Sequence, residues 1–289
     1  MSDHDAPAAA AGTVRIGDDL TANRMGFGAM RLTGRGIWGQ PDDREECIRV
    51  LRRVIELGVN FIDTADAYGP EVSEELIAEA LHPYPDDLVI ATKGGLLRSG
   101  PNRWSPDGRP EHLREACEGS LRRLRVERID LYQLHRPDPK VPLEDSLGAL
   151  TELREDGKIR HIGLSNVHMH QLDRAMPLAD VVSVQNRYNV EDRSSEDVLD
   201  ACEELGLAFL PWGPVAAGDL AGGRSPLAKA VERLDATPGQ VALAWLLQRS
   251  PVMLPIPGTS KVAHLEENVA AAALQLDPAE LESIDHLAA

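Results

Sequence analysis

The feature that most constrains this 289-residue chain is a repeated alternation. A short apolar run is followed by a loop and an amphipathic helix, and then the order begins again. The apolar runs are Arg24–Gly28, Asn60–Asp63, Leu88–Thr92, Ile129–Leu134, His161–Ser165, Val181–Gln185, Ala208–Pro211 and Met253–Pro255. They are rich in Val, Ile and Leu and barely alternate with polar residues, as strands buried on both faces should be. The stretches between them read as helices. Cys47–Leu57 puts Ile48, Leu51, Val54 and Ile55 on one stripe, and Glu111–Leu124, Leu143–Asp156, Ser194–Leu205 and Pro238–Gln248 keep the same period. Pro110, Pro142 and Pro238 stand where a first-turn proline belongs, and Gly58, Gly157 and Gly206 where a helix-stopping glycine belongs.

Eight strands alternating with helices predict an α/β fold, a (β/α)8 TIM barrel. A doubly wound sheet is the rival, but it normally carries a glycine-rich phosphate turn after its first strand. Here Gly26–Arg31 lacks the third glycine and no clean helix follows. A hairpin of Thr13–Ile16 with Leu20–Ala22 is expected to plug the barrel bottom. Extra helices are expected at Leu227–Leu234, after the seventh strand, and at Pro278–His286, at the C-terminus. Residues 1–12 read as a mobile tail and residues 13–289 as one barrel domain.

A formal charge of −17 argues against a nucleic-acid binder, which needs a basic footprint. No apolar run approaches a membrane span, and the N-terminal stretch lacks the pattern of a signal peptide. Cys47, Cys117 and Cys202 are too scattered for a zinc site or a disulfide framework. A cytoplasmic protein without metal, and without nucleic-acid or membrane partners, is expected. It should be a monomer or a weak homo-oligomer.

In a barrel, chemistry gathers at the carboxyl ends of the strands. The second strand ends at Asp63, with Tyr68 in the loop after it. The third runs into Lys93 and the fourth into His135. Taken singly, Asp63 reads as a turn cap, Lys93 as a snorkelling strand end, His135 as a bonded core histidine and Tyr68 as a packing aromatic. A barrel would bring the four to one point. An ammonium beside a phenol lowers the phenol's pKa, and a carboxylate holds the ammonium in place. Asp63, Lys93 and Tyr68 thus suit a proton-donating relay, with the His135 imidazole polarising a carbonyl oxygen. Reducing that carbonyl needs a hydride, which no side chain supplies, so a nicotinamide cofactor is implied. Paired carboxylates, Asp63 with Asp66 or Glu74, would suit hydrolysis, but leave Lys93, His135 and Gln185 without a role.

The run Gly58-Val59-Asn60-Phe61-Ile62-Asp63-Thr64-Ala65-Asp66-Ala67-Tyr68-Gly69 resembles a signature of the aldo-keto reductase superfamily. So do Ala91-Thr92-Lys93, Leu131-Tyr132-Gln133-Leu134-His135, the stretch Gly157 to Asn166, and Ile256-Pro257-Gly258-Thr259-Ser260. The resemblance implies a (β/α)8 barrel, NADPH rather than NADH, no metal, and Tyr68 as proton donor to a small-molecule carbonyl substrate. It also implies that Ser165, Asn166 and Gln185 hold the nicotinamide carboxamide and that Trp212 stacks on its ring. Gly213, Pro214 and Val215 would follow the pyrophosphate, and Gly28, Ala29 and Met30 would line the cofactor and substrate side. At the adenosine end stand Gly258, Thr259, Ser260, Lys261, His264, Glu267 and Asn268. The best-known relatives have Lys in place of Gly258 and Arg in place of His264, a departure for which Lys261 would compensate. Trp38 and Trp104 are the candidate substrate walls, the latter in a long loop, Gly95 to Arg109, that also carries Arg98 and Arg103.

The stretch Arg31–Asp43 resembles a bacterial subgroup that includes pyridoxal reductases, so pyridoxal stands beside small aldehydes as a candidate substrate. The alternative reading is a weakly catalytic NADPH-binding barrel acting as a redox-sensing or regulatory partner.

Overall fold

The computed structural model describes residues 6–215 and 227–286. Its framework is a seven-stranded sheet in which every neighbouring pair is parallel. The strands are β3 (Phe27–Gly28), β4 (Phe61–Asp63), β5 (Val89–Gly94), β8 (Ile129–Leu134), β9 (Ile159–Ser165), β10 (Val181–Gln185) and β11 (Ala208–Phe209). They lie side by side in chain order from β3 to β11. Helices connect them, chiefly α1 (Arg44–Glu56), α2 (Val72–Leu81), α3 (Pro110–Leu124), α4 (Leu143–Glu155), α5 (Met169–Ala175), α6 (Glu196–Leu205) and α8 (Pro238–Arg249).

The helix ends are written locally. Asp43 accepts the Glu46 N–H at 2.9 Å at the start of α1, and Thr237 and Gln240 form a reciprocal capping box at the start of α8. Gly58, Gly157 and Gly206 all follow helices in the left-handed region, where only glycine escapes a Cβ penalty.

The last expected strand, Met253–Pro255, is not regular. Pro255 and Pro257 lack the N–H that a ladder needs, so only an isolated bridge forms, between Phe209 and Met253. The segment nevertheless reaches both sheet edges. The Phe209 N–H donates to Val252 O at 2.9 Å, the Leu254 N–H to Phe209 O at 2.8 Å, and the Gly26 N–H to Pro255 O at 2.9 Å. The ladders of the first and seventh strands are likewise shorter than expected, two residues each.

Two apolar layers result. One lies between sheet and helices and holds Leu51, Ile62, Tyr132, Tyr188 and Trp245. The other lies inside the curled sheet, where Phe61, Val89, Leu131 and Leu254 meet Val14, Ile16, Leu20 and Ala22. Those last four come from an antiparallel hairpin, β1 (Thr13–Ile16) and β2 (Leu20–Asn23). Helices α7 (Ala228–Leu234), α9 (Val262–Ala270) and α10 (Pro278–Asp285) complete the chain.

Two expectations need correction. Part of the expected tail is packed: Pro7–Ala11 form a 3-10 helix, Ala8 is fully buried, and its N–H donates to Leu57 O at 3.1 Å. Apolar Ala side chains with a docking surface have reason to order; residues 1–5 of the tail lie outside the described residues. The expected loop Gly95–Arg109 is largely a second hairpin, β6 (Leu96–Gly100) and β7 (Arg103–Pro106), with Arg98 opposite Trp104.

Candidate active site

Strand side chains two residues apart share a face. Phe61 lies in the inner apolar layer, so Asp63 faces inward too. Val89 and Ala91 bring Lys93 inward, and Leu131 brings Gln133 and then His135. The register pairs Lys93 directly with Gln133. The apolar layer of the sheet therefore gives way to a polar layer at the carboxyl ends of adjacent strands.

Lys93 is fully buried and spends its three hydrogens there. Nζ donates to Asp63 Oδ2 at 2.6 Å, to the Thr64 carbonyl at 2.8 Å and to Tyr68 Oη at 3.3 Å. It is no snorkelling strand end. Asp63 is 2% exposed and its other oxygen is also taken. Oδ1 accepts from Gln185 Nε2 at 2.7 Å and from Gln133 Nε2 at 3.1 Å. A buried carboxylate needs such partners, since desolvating it alone is very costly.

Gln133 was assigned no role from sequence. The signal was there: an amide inside an apolar run, two residues before His135 and so on its face. Gly163 makes the room, because a Cβ there would sit 2.5 Å from Ser183 Oγ and 2.9 Å from Gln133 Cγ.

Burial, opposed by the Lys93 charge and reinforced by Asp63 and Asp66, raises the Tyr68 phenol above its ordinary range. Lys93 pulls it down, as expected, but desolvation outweighs the neighbouring ammonium and the net direction is upward. Tyr68 is therefore a neutral phenol near pH 7 with a proton to give. Burial works against the Lys93 ammonium, but Asp63 and Tyr68 outweigh it and hold it charged.

His135 stands beside Tyr68, ring centroids 5.7 Å apart and nearly perpendicular. Burial, then Lys93, Arg136 and Arg98, hold its pKa well below the ordinary histidine value, so it is neutral. Among the described residues its buried Nδ1 has no hydrogen-bond partner, unlike a satisfied core histidine. Trp104 closes the group edge-on, 6.4 Å from both the Tyr68 and the His135 rings. Among the described residues no ring contact joins Trp38 to Tyr68 or His135; Trp38 bridges to Gly69, the residue after Tyr68, and meets Arg98, whose Cζ lies 5.6 Å from its ring.

Neutral polar groups line the next strand ends. Ser165 is buried at the end of β9. Asn166 takes a left-handed backbone, φ 59°, and its amide nitrogen donates to His135 O at 3.0 Å and Ser165 Oγ at 2.9 Å. Its oxygen accepts the Trp212 indole N–H at 3.2 Å, which orients that half-buried ring. Gly213 has a left-handed φ of 62°, and Pro214 and Val215 close the described part of that loop.

Gly28 ends β3, and Ala29 and Met30 begin a 3-10 helix, Ala29–Leu32. Gly28 and Gly258 meet backbone to backbone: a Cβ on Gly258 would lie 2.4 Å from Gly28 O. A lysine side chain does not fit at Gly258 without a shift, which accounts physically for glycine there.

Thr259, Ser260 and Lys261 lead into α9, which carries His264, Glu267 and Asn268. Lys261 and His264 are exposed. Two backbone donors at this helix start are already engaged. Thr259 Oγ1 accepts the Lys261 N–H at 3.1 Å, and Glu46 Oε1 accepts the Val262 N–H at 3.2 Å. Glu267 also has structural work, since its Oε1 accepts from the Thr237 hydroxyl at 2.6 Å. Side chains rather than these N–H groups are thus the donors left for an anionic group.

The set as a whole is a buried carboxylate–ammonium–phenol chain, a neutral imidazole, an aromatic wall and a row of amides. It can hold a carbonyl oxygen between a phenol and an imidazole and give it a proton.

The aldo/keto reductase family matches residues 24–289. An uncharacterized oxidoreductase of Schizosaccharomyces pombe is 55% identical over 278 residues, covering 96% of this chain and 90% of that protein. Pyridoxine 4-dehydrogenase of Escherichia coli is 44% identical over 277 residues, covering 92% of this chain and 94% of that protein. The crystal structure of an aldo-keto reductase from Klebsiella pneumoniae in complex with NADPH superposes with a TM-score of 0.81 at 28% identity, over 95% of this chain and 94% of that one. With matches of this extent over nearly its whole length, the chain belongs to the aldo/keto reductase family.

Proposed function

We propose that this protein uses NADPH to reduce the carbonyl of a small aldehyde or ketone to an alcohol, with Tyr68 as the general acid. The observation that carries the proposal is the chain from Asp63 through Lys93 Nζ to Tyr68 Oη, at 2.6 and 3.3 Å, beside a neutral His135 with an orphaned Nδ1.

The residues fit a dinucleotide. Ser165, Asn166 and Gln185 offer neutral hydroxyl and amide partners suited to a carboxamide. The Trp212 ring, held by Asn166, offers a flat apolar face beside them. Ser260, Lys261 and His264 offer a hydroxyl and cationic or donor groups at the exposed start of α9, suited to a phosphate. The chemistry NADPH supplies when bound is hydride donation to the carbonyl carbon.

The protein's own part is placement and proton delivery. Tyr68 Oη donates its proton to the carbonyl oxygen as charge develops there. Lys93, saturated by three acceptors, stabilises the phenolate left behind. Asp63, fixed by Gln133 and Gln185, keeps Lys93 charged. A neutral His135 N–H polarises the same oxygen, and Trp104 shields the site from water.

Among candidate substrates we favour small aldehydes and pyridoxal, the second supported by the 44% identity to a pyridoxine 4-dehydrogenase. We read the seven strands with the Met253–Pro257 segment as the eight positions of a (β/α)8 barrel, since that segment bonds to both edges. Three free, buried cysteines suit a reducing cytoplasm. Among the described residues no helix is long and apolar enough to cross a membrane.

The test is the loss of NADPH absorbance on adding pyridoxal, methylglyoxal or nitrobenzaldehyde to purified protein, with the alcohol identified as product. NADPH that binds but is never oxidised by any of them would sink the proposal.

A further inference from the structure

Arg98 is the most heavily bonded side chain outside the quartet. It lies on β6, opposite Trp104 on β7. All five of its N–H donors reach backbone carbonyls. Nη1 donates to Ile37 O at 2.7 Å and Ala67 O at 2.8 Å; Nη2 donates to Gly36 O at 2.9 Å and Gly100 O at 3.3 Å; Nε donates to Arg103 O at 3.3 Å. Three separate segments are joined by one planar fork.

Two of those carbonyls belong to a strained turn. Ile37 has φ 56°, a left-handed backbone that a β-branched residue adopts only under constraint. A third, Ala67, immediately precedes Tyr68. The guanidinium is also stacked, with Cζ 3.5 Å from the Trp104 ring centroid and 5.6 Å from that of Trp38. Trp104 is 38% exposed, so packing alone does not fix it. A cation over an indole face is attracted to it, and a guanidinium bonded on every side is a rigid platform.

We infer that Arg98 is a positioning residue: it clamps Trp104 edge-on to Tyr68 and His135 and ties that aromatic wall to the backbone carbonyl of Ala67, the residue that leads into Tyr68. Among the described residues Arg98 makes no hydrogen bond to Tyr68 Oη or to His135, so its hold on the site runs through Trp104. The inference rests on the carbonyl-reductase reading of the same site. Its consequence is selective. A flat aryl aldehyde that lies against Trp104 depends on the clamp, while a short aliphatic aldehyde held by Tyr68 and His135 depends on it much less.

The test compares wild type, Arg98→Met, Arg98→Lys, Trp104→Phe and the Arg98→Met/Trp104→Phe double variant. Each is assayed with NADPH against 4-nitrobenzaldehyde and propanal. Arg98→Met is expected to raise KM for the aryl aldehyde about tenfold or more, as a misplaced wall should, with kcat changed less and propanal kcat/KM falling under about threefold. The two single effects should not add, because both break one contact. Arg98→Lys should rescue only part of the loss, since an ammonium cannot span five carbonyls.

Tryptophan emission provides a readout independent of turnover. Because Arg98 also lies over Trp38, the decisive background is Trp38→Phe: Arg98→Met should shift the emission there but not in Trp38→Phe/Trp104→Phe. Equal losses on both aldehydes, additive single effects, full rescue by Lys, or an emission change that persists in Trp38→Phe/Trp104→Phe would each overturn the clamp. A wild type that oxidises NADPH with neither of these aldehydes, nor with pyridoxal or methylglyoxal, defeats the reductase reading instead, and the emission result then decides the clamp alone.

Discussion

Gln185 Nε2 donates to Asp63 Oδ1 at 2.7 Å, across 122 positions of sequence, on the side of the carboxylate away from Lys93. The sequence resemblance casts Gln185 as a cofactor-facing amide. The structure adds a second duty for it, holding Asp63 jointly with Gln133. The carboxylate is thereby fixed on both oxygens, and so is the ammonium that reaches Tyr68.

Tyr68→Phe should lower kcat/KM for carbonyl reduction by at least about a hundredfold, the ordinary range for a general acid. NADPH binding and thermal unfolding should stay near wild type, because among the described residues the lost hydroxyl is hydrogen-bonded only to Lys93 Nζ. Steady-state kinetics beside a fluorescence titration of NADPH checks this. Near-normal turnover would remove Tyr68 from its role.

Lys93→Met strands Asp63 as a buried charge without its cation. Gln133 and Gln185 soften the loss but cannot neutralise it. A fully buried pair broken on one side typically costs about 3–5 kcal/mol, readable as a lower urea midpoint at unchanged m-value. Asp63→Asn combined with Lys93→Met should recover part of that stability, while activity stays low.

Stability should also fall on acidification through a histidine. His135 is held neutral in the fold, its pKa well below 6.5. Below about pH 6.5 the unfolded chain takes up a proton that the folded chain refuses. The unfolded state then binds more protons, so stability declines as pH falls, by up to about 1.4 kcal/mol per pH unit from this group. Urea midpoints between pH 8 and pH 5 should show a shallower decline in His135→Asn than in wild type. Parallel pH profiles would remove His135 as the source.

Gly258→Ala should destabilise the protein, since its Cβ would lie 2.4 Å from Gly28 O, a backbone atom that cannot swing aside. Overpacking of this kind costs about 1–3 kcal/mol. A drop in melting temperature with weaker NADPH binding is expected. An unchanged melting curve would show that the two glycines do not need their close approach.

The four members of the quartet were legible because each ends, or closely follows, an apolar run, where a charge or phenol needs a reason to be. The helix ends at Pro110, Pro238, Gly58, Gly157 and Gly206 were legible because capping is local. The Met253–Pro255 strand failed for an equally local reason, the prolines within and after it. The β6–β7 hairpin and the packed Pro7–Ala11 turn were not legible. Their residues look like loop and tail until a surface exists for them to pack on.

By itself, the sequence determined which side chains stand at the strand ends and on which face, because alternation along a strand is set by the backbone. It also determined the net acidity and the α/β plan. Only the tertiary structure decided what those side chains do to one another. Lys93 meets Tyr68 and Asp63 meets Gln185 only once strands distant in sequence lie side by side. The Tyr68 phenol lies above its ordinary range because burial outweighs a neighbouring charge, and burial belongs to the folded whole.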